Sequence, residues 1–388
     1  MDWHAELLSY GAMAGSRRNV PVTIVSGFKG AGKSTLVEHV VKSARGQRVA
    51  VIHDDGEKDL FAEIDNALSV QACDVIVVEC AANLEPYFVA EHLVYGDDET
   101  PPPTGIRVDT LVTVVDSSSW LDEIQLSADL LERELAFDEE DDRMVSELLL
   151  EQIEFSDVIV LNKTDKVSTE DSDAQEALLV RLNPRARVFR CERGRVPVAD
   201  LLDTGAFDIL ETDDGAGWLA ELSGEFRSGM GGFDVSSFTF VEHRPFHPIR
   251  FNELLNEFDV HGLIRAKGSV WVASRHHEIG IWSLAGRASL LTYGGAWFAA
   301  TPAREWPADE RERAEIMKGW VPPFGDRRQE IAFIGLKLNE NEIRERLRES
   351  LLTPDEMKDG PEGWFSIPDP LPDWHTDTDP ESYGGTWS

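Results

Sequence analysis

The chain has 388 residues, of which 42% are hydrophobic and 9% aromatic, enough to bury a core and exclude wholesale disorder. Its length suits two domains. Lys+Arg 37 against Asp+Glu 72 leaves a net charge of −35, which excludes the basic footprint of a nucleic-acid binder and an affinity for anionic membrane surfaces.

Residues 1–20 form an N-terminal extension without a charged-then-apolar signal pattern. From Pro21 to Leu202, short apolar runs alternate with amphipathic stretches. Residues 22–27, 48–55, 73–80, 109–116 and 156–165 hold the Val- and Ile-rich runs expected of strands covered on both faces. Helical patterns lie between them, for example at 34–44 and 146–155. This alternation predicts an α/β fold over 21–202, with a mostly parallel sheet and helices on both faces. Residues 203–232 are rich in Gly, Asp and Ser and are expected to be a linker. From 233 to 352 the strands SSFTFVEH, GLIRAKGSVWVAS, IGIWSL and ASLLTY are aromatic and partly alternating, as in an antiparallel sheet with one wet face. With helical patterns at 251–258 and 339–352, they predict a smaller α+β domain. The stretch 353–388 is acidic and rich in Pro, Asp and Gly, and is expected to be irregular. No run approaches the roughly 18 apolar residues of a membrane span. The three cysteines (Cys73, Cys80, Cys191) offer no disulfide framework, so the expected location is cytoplasmic.

Three segments carry chemistry. Gly27-Phe-Lys-Gly-Ala-Gly32-Lys33-Ser34 fits G-x-x-x-x-G-K-[ST] and sits between a predicted strand and a predicted helix. Its glycines let backbone N–H groups wrap a phosphate, Lys33 would reach the β/γ-phosphates, and the Ser34 hydroxyl would ligate Mg²⁺. Asn162-Lys163-Thr164-Asp165 follows another strand, where an N-K-x-D tetrad reads guanine. The Asp165 carboxylate can accept from guanine N1–H and the exocyclic amine, whereas adenine would leave that carboxylate unpaired. Glu79, next to last in CDVIVVEC, is placed to hold Mg²⁺ directly or through water, or to orient the attacking water. The candidate nucleotide-binding set is Gly27, Lys29, Gly30, Ala31, Gly32, Lys33, Ser34, Thr35, Asn162, Lys163 and Asp165. Lys33 and Glu79 are the candidate catalytic residues, and Ser34 and Glu79 the candidate Mg²⁺ ligands. Arg265, Arg327 and Arg328 are expected on solvated faces or in structural ion pairs.

These segments together resemble the CobW-type GTPases and metallochaperones. VTIVSGFKGAGKSTLVEHVV is similar to that family's opening strand, loop and helix. His53-Asp54-Asp55-Gly56-Glu57 stands in the place of its N-E-F-G-E segment, and Glu79-Cys-Ala-Ala-Asn-Leu-Glu-Pro86 in that of E-[TS]-[TS]-G-x-x-x-P. LVTVVDSSSW and EQIEFSDVIVLNKTDKV are similar to its later strands. RPFHPIRF, GLIRAKGSVWVAS, the Trp297 region and GDRRQEIAFIG are similar to its C-terminal domain. The resemblance implies a P-loop GTPase domain followed by a smaller α+β domain. It also implies GTP/GDP and Mg²⁺ as cofactors, and Zn²⁺ or Co²⁺ handled for a metalloprotein client. Two departures are visible: the family's Cys-x-Cys-Cys motif is missing between Lys33 and Glu79, and ECAA replaces E-[TS]-[TS]-G.

Remaining transition-metal candidates are Asp54, Glu57 and Cys80, beside His53 and Asp55, and the run His276-His277-Glu278. On regular strands the two histidines would face opposite sides, as would Cys73 and Cys80. The expected function is a GTP-binding protein, a slow GTPase switch related to metal handling or metallocofactor delivery. The alternative is a nucleotide-binding regulatory module without turnover or metal transfer.

The acidity is spread along the chain and only 10 basic residues are lysine, a pattern resembling proteins of salt-loving organisms. Self-repulsion should weaken as the Debye length shrinks from about 10 Å at 0.1 M salt to about 3 Å at 1 M. Thermal unfolding across KCl concentrations should therefore show a rising melting temperature, and a flat or falling one would rule out halophilic adaptation.

Overall fold

The computed structural model describes residues 19–375, apart from 57, 98–99, 127, 138–140, 142, 210–216 and 225–233. Two compact units emerge, and neither follows the chain continuously. One comprises the chain up to Ser118 with Phe155–Val167 and Ala186–Asp213, and the other comprises Ser119–Glu154, Ser168–Arg185 and the chain from Asp214.

The first unit is built on β1 (Val20–Ser26), β2 (Val49–Asp54), β3 (Val75–Cys80), β4 (Ile106–Asp116), β5 (Val158–Asn162) and β6 (Arg187–Arg190). They form one sheet in the order β2-β3-β1-β4-β5-β6, all pairs parallel. Alternate residues face opposite sides, so register sorts the core into two layers. On one face Val22, Ile24, Ala50, Ile52, Ile76 and Val78 pack with Leu60, Phe61 and Ile64 of α2 (Leu60–Asn66) and Val89, Ala90 and Leu93 of α3 (Pro86–Tyr95). On the other, Val25, Val75, Val77, Val112, Val114, Val158 and Val160 pack with Leu36, Val37 and Val40 of α1 (Lys33–Ser43). Each Val, Leu, Ile or Phe among them contributes about 1.5–3 kcal/mol on burial. The strand order reverses at β1, whose neighbours are β3 and β4, and ligands of open parallel sheets bind at such a switch point, beyond the strands' carboxyl ends. Strand β6 has no counterpart in the sequence reading; its four residues, RVFR, are half-exposed and begin and end in arginine.

The second unit contains α4 (Trp120–Gln125), α5 (Val145–Glu154) and α6 (Thr169–Leu182), although the chain threads them between parallel strands. With them lie α7 (Gly217–Leu222) and an antiparallel sheet in the order β10-β9-β8-β11-β7. Its strands are β7 (Val235–Glu242), β8 (Leu263–Val270), β9 (Glu278–Ala285), β10 (Ala288–Ala296) and β11 (Gln329–Leu336). One face buries Phe238, Phe240, Ala266, Trp282, Leu284, Ile331 and Phe333 with Phe251 and Leu254 of α8 (Pro248–Glu257) and Ile343 and Leu347 of α10 (Glu340–Glu349). Helix α9 (Glu310–Lys318) lies in the connection from β10 to β11.

Two expectations meet a different structure. The Gly- and Asp-rich linker contains α7, whose Gly217, Trp218 and Ala220 are buried. The tail expected to be irregular folds, within residues 353–375, into a 3₁₀ turn (Glu356–Asp359) and α11 (Gly360–Trp364). Trp364 and Trp374 are each 1% exposed. Trp374 donates to Glu278 at 2.7 Å and lies under the Arg275 guanidinium, which pairs with Asp369 at 2.8 Å. Indole burial outweighs the local Pro/Asp/Gly composition. The last residues of that tail, 376–388, lie outside the described residues, as does nearly all of the N-terminal extension.

Arg265 of β8 is fully buried and makes a bidentate pair with Glu154 at the end of α5, at 2.9 and 3.0 Å, while donating to Ser283 at 3.0 Å. Burial works against its charge, but Glu154, Glu147 and Glu151 outweigh it and leave the guanidinium pKa above its ordinary value. Arg327 is also structural: it is buried and donates to the carbonyls of His276 and Phe324. Glu154→Gln strands a buried guanidinium and should lower unfolding free energy by about 3–5 kcal/mol, whereas replacing both partners with Met should cost far less. Denaturant unfolding of wild type and the two variants checks this, and equal losses in single and double variants would contradict it.

Candidate functional site

The first unit gathers the loops after β1, β3, β4, β5 and β6 at the carboxyl edge of the parallel sheet. Helix α1 opens on Gly32, with φ 112°, no capping side chain and no acidic residue in its first turn. Its leading N–H groups are thus left without an internal acceptor and present a partial positive charge to an anion. A Cβ at Gly32 would stand 2.4 Å from Asn162 Nδ2, so steric space and left-handed backbone both require glycine there. Lys29, Gly30, Ser34 and Thr35 are exposed, whereas Gly27 and Ala31 are buried.

Lys33 curls back to donate to the carbonyl of Gly27, and burial pulls its pKa down against the opposing pull of Cys80 and Glu79. The Ser34 hydroxyl donates to Glu79 Oε1 at 2.5 Å. Glu79 Oε2 is buried and lacks an aligned donor, although His53 Nδ1 approaches to 3.2 Å. The two observations are compatible: the contact is an electrostatic approach, not a well-directed hydrogen bond. The hydroxyl and carboxylate are hard oxygen donors, and an unsatisfied buried carboxylate oxygen beside them fits a small divalent cation such as Mg²⁺.

Asn162 is 2% exposed and ties three segments together. Its Nδ2 donates to the Ala31 carbonyl at 2.9 Å, while its Oδ1 accepts from Gly194 N at 3.1 Å and the Cys191 thiol at 3.4 Å. Lys163 has left-handed backbone and donates from Nζ to the Gly30 carbonyl at 2.7 Å and to Asp116 Oδ2 at 2.5 Å. Asp165 lies in a 3₁₀ turn (Thr164–Lys166), exposed and without a hydrogen-bond partner among the described residues. Asp116 did not figure among the sequence candidates. Burial raises its pKa, but hydrogen bonds from Lys163 and Ser118 outweigh this and hold the carboxyl below its usual range. Its signal was available, since Asp116 ends an apolar run just as Glu79 does.

The transition-metal candidates are distributed differently. Asp54 and Cys80 are paired in the β2–β3 register and both are buried, with burial raising the pKa of each. Glu57 lies outside the described residues. Cys73 precedes β3 instead of lying on it, and it packs in the same apolar layer as Cys80, not on the opposite side. The strand from Val75 to Cys80 nevertheless rises about 16 Å, so the shared layer does not by itself bring the two sulfurs together. Burial also pushes the Cys191 thiol up to about 11. His276 is buried against Trp271 and Trp364, and burial lowers its pKa to about 3, while His277 is exposed. Among the described residues, no group of three or more His, Cys, Asp and Glu side chains is placed to hold a metal ion.

Comparison with known proteins covers both halves of the chain. The CobW/HypB/UreG nucleotide-binding domain matches residues 21–68 and 55–190, and the cobalamin synthesis protein cobW C-terminal domain matches 235–351. A zinc-regulated GTPase metalloprotein activator 1 of Dictyostelium discoideum is 32% identical over 400 residues, spanning 91% of this chain and 84% of the relative. A zinc chaperone of Mycobacterium tuberculosis is 32% identical over 313 residues, spanning 78% and 72%. The zinc chaperone YjiA of Escherichia coli is 25% identical over 349 residues, spanning 84% and 96%.

Proposed function

The chain belongs to the CobW/HypB/UreG family, and from that premise we propose that it binds GTP with Mg²⁺, hydrolyses it slowly, and uses the cycle to handle metal for a metalloprotein client in the cytoplasm. The observation that carries this reading is the bonding of the G-K-S loop to the N-K-T-D loop through Asn162 and Lys163. Phosphate and base contacts then belong to one framework.

The phosphates would lie against the N–H groups that open α1, along Gly30, Ala31, Gly32, Ser34 and Thr35, and Lys33 would exchange the Gly27 carbonyl for phosphate oxygens. Lys29, exposed on the same loop, adds positive charge. Ser34 and Glu79 would hold Mg²⁺, which when bound neutralises negative charge on the β- and γ-phosphates. Asp165 would accept the two guanine donors, with the Lys163 stem along the base. Catalysis would come from positioning and charge stabilisation, with Lys33 and Glu79 as its principal side chains.

The zinc link rests on the Dictyostelium and mycobacterial relatives, a zinc-regulated activator and a zinc chaperone. Zn²⁺ or Co²⁺ would be cargo or regulator. Because burial raises the thiol pKa of Cys73, Cys80 and Cys191, thiolate ligation would first have to overcome a cost of deprotonation. Oxygen and imidazole ligands around Asp54, Glu57 and Cys80 are the better candidates, binding less tightly than a thiolate cluster.

The base pocket should prefer GTP over ATP by at least tenfold, about 1.4 kcal/mol. Asp165→Asn should weaken GTP binding and gain affinity for xanthosine triphosphate, whose 2-oxo group suits an amide donor. Competition against a fluorescent nucleotide measures both, and equal binding of ATP and GTP by the wild type would overturn the assignment.

A further inference from the structure

Glu79 sits between two elements that approach it from different directions. Ser34, in the first turn of α1, donates to Oε1 at 2.5 Å. His53, next to last in β2, brings Nδ1 to 3.2 Å from Oε2. This approach follows from the fold. His53 and Glu79 are paired residues of the parallel β2–β3 ladder, so their side chains leave the sheet on the same face. Val25 of β1 pairs with Glu79 on the other side, and β1 runs directly into the phosphate loop. The backbone register thus places the imidazole beside the carboxylate while the helix places the hydroxyl there.

Oε2 is buried and has no hydrogen-bond partner among the described residues, and His53 Nδ1, 3.2 Å away but out of line, is the group beside it that can orient it. The His53 side chain is 69% exposed and the Glu79 side chain 9%. The histidine therefore adds little to the core, yet it touches the atom of the carboxylate that Ser34 leaves free. An outer group that holds a ligating carboxylate fixes the carboxylate's plane and sharpens the site for its metal.

We propose that His53 is a positioning residue for Glu79: its imidazole lies 3.2 Å from Oε2 and turns Nδ1–H into line with it when Mg²⁺ and nucleotide bind, so that the carboxylate is held in register with Ser34. The inference rests on the GTPase reading above and adds a residue to it. It requires the imidazole tautomer that carries hydrogen on Nδ1.

The test compares wild type, His53→Ala and His53→Asn, the last placing an amide N–H near the position of Nδ1. Release of a fluorescent GDP analogue is followed by stopped flow with Mg²⁺ and with EDTA, alongside steady-state GTP hydrolysis. In wild type Mg²⁺ should slow release. In His53→Ala that slowing should shrink by about tenfold, with release in EDTA unchanged, and kcat should fall by a similar factor at nearly constant KM. His53→Asn should restore most of both. His53→Ala behaving like wild type, or His53→Asn no better than His53→Ala, would overturn the role of His53 while leaving the GTPase reading intact. A wild type whose nucleotide release ignores Mg²⁺ and that does not hydrolyse GTP would overturn both.

Discussion

The candidate site depends on one buried amide. Asn162 donates to the phosphate loop at Ala31 and accepts from the loop after β6 at Gly194 and Cys191, while its own carbonyl accepts from Ser117 N after β4 at 3.0 Å. A buried amide whose donor and acceptor ends are both used acts as a rigid spacer, because losing either contact would leave a desolvated polar group. Gly32 is the complement of this arrangement, since any side chain there would collide with Asn162 Nδ2. Lys163 repeats the tie one residue later, from Gly30 to Asp116. The G-K-S and N-K-T-D loops are thereby held in fixed separation, which under the proposed reading would reduce the ordering cost of binding nucleotide.

Much of this was legible in the sequence, and for physical reasons. The central strands are buried on both faces, so their Val and Ile runs are unbroken, and the glycine, lysine and serine of the phosphate loop are constrained by chemistry and backbone geometry together. The N-K-T-D tetrad was legible because Asn162 closes a buried strand. What escaped was less regular. β6 is a short edge strand ending in arginines, so no apolar run announces it. The tail is anchored by isolated tryptophans, Trp364 and Trp374, whose burial depends on distant partners such as Glu278 and Arg275. The neighbourhood of His53 and Glu79 required register, which composition does not supply.

Cysteine chemistry separates nucleotide function from metal function in this chain. All three thiols are buried and free, and burial raises the pKa of each. None is presented as a ready thiolate, whereas the oxygen donors Ser34 and Glu79 already meet at the edge of the sheet. Under the proposed reading the Mg²⁺ donors therefore already meet, whereas a transition metal would need ligands other than a ready thiolate.

The most direct measurement of this account is the affinity of Asn162→Ala for GTP by titration calorimetry, alongside its thermal unfolding. If the amide holds phosphate and base loops as one framework, GTP binding should weaken by about 100-fold, about 2.7 kcal/mol, in a protein that still unfolds cooperatively. A folded Asn162→Ala protein that binds GTP within about twofold of wild type, under 0.5 kcal/mol, would show that the two loops are positioned independently and contradict the account.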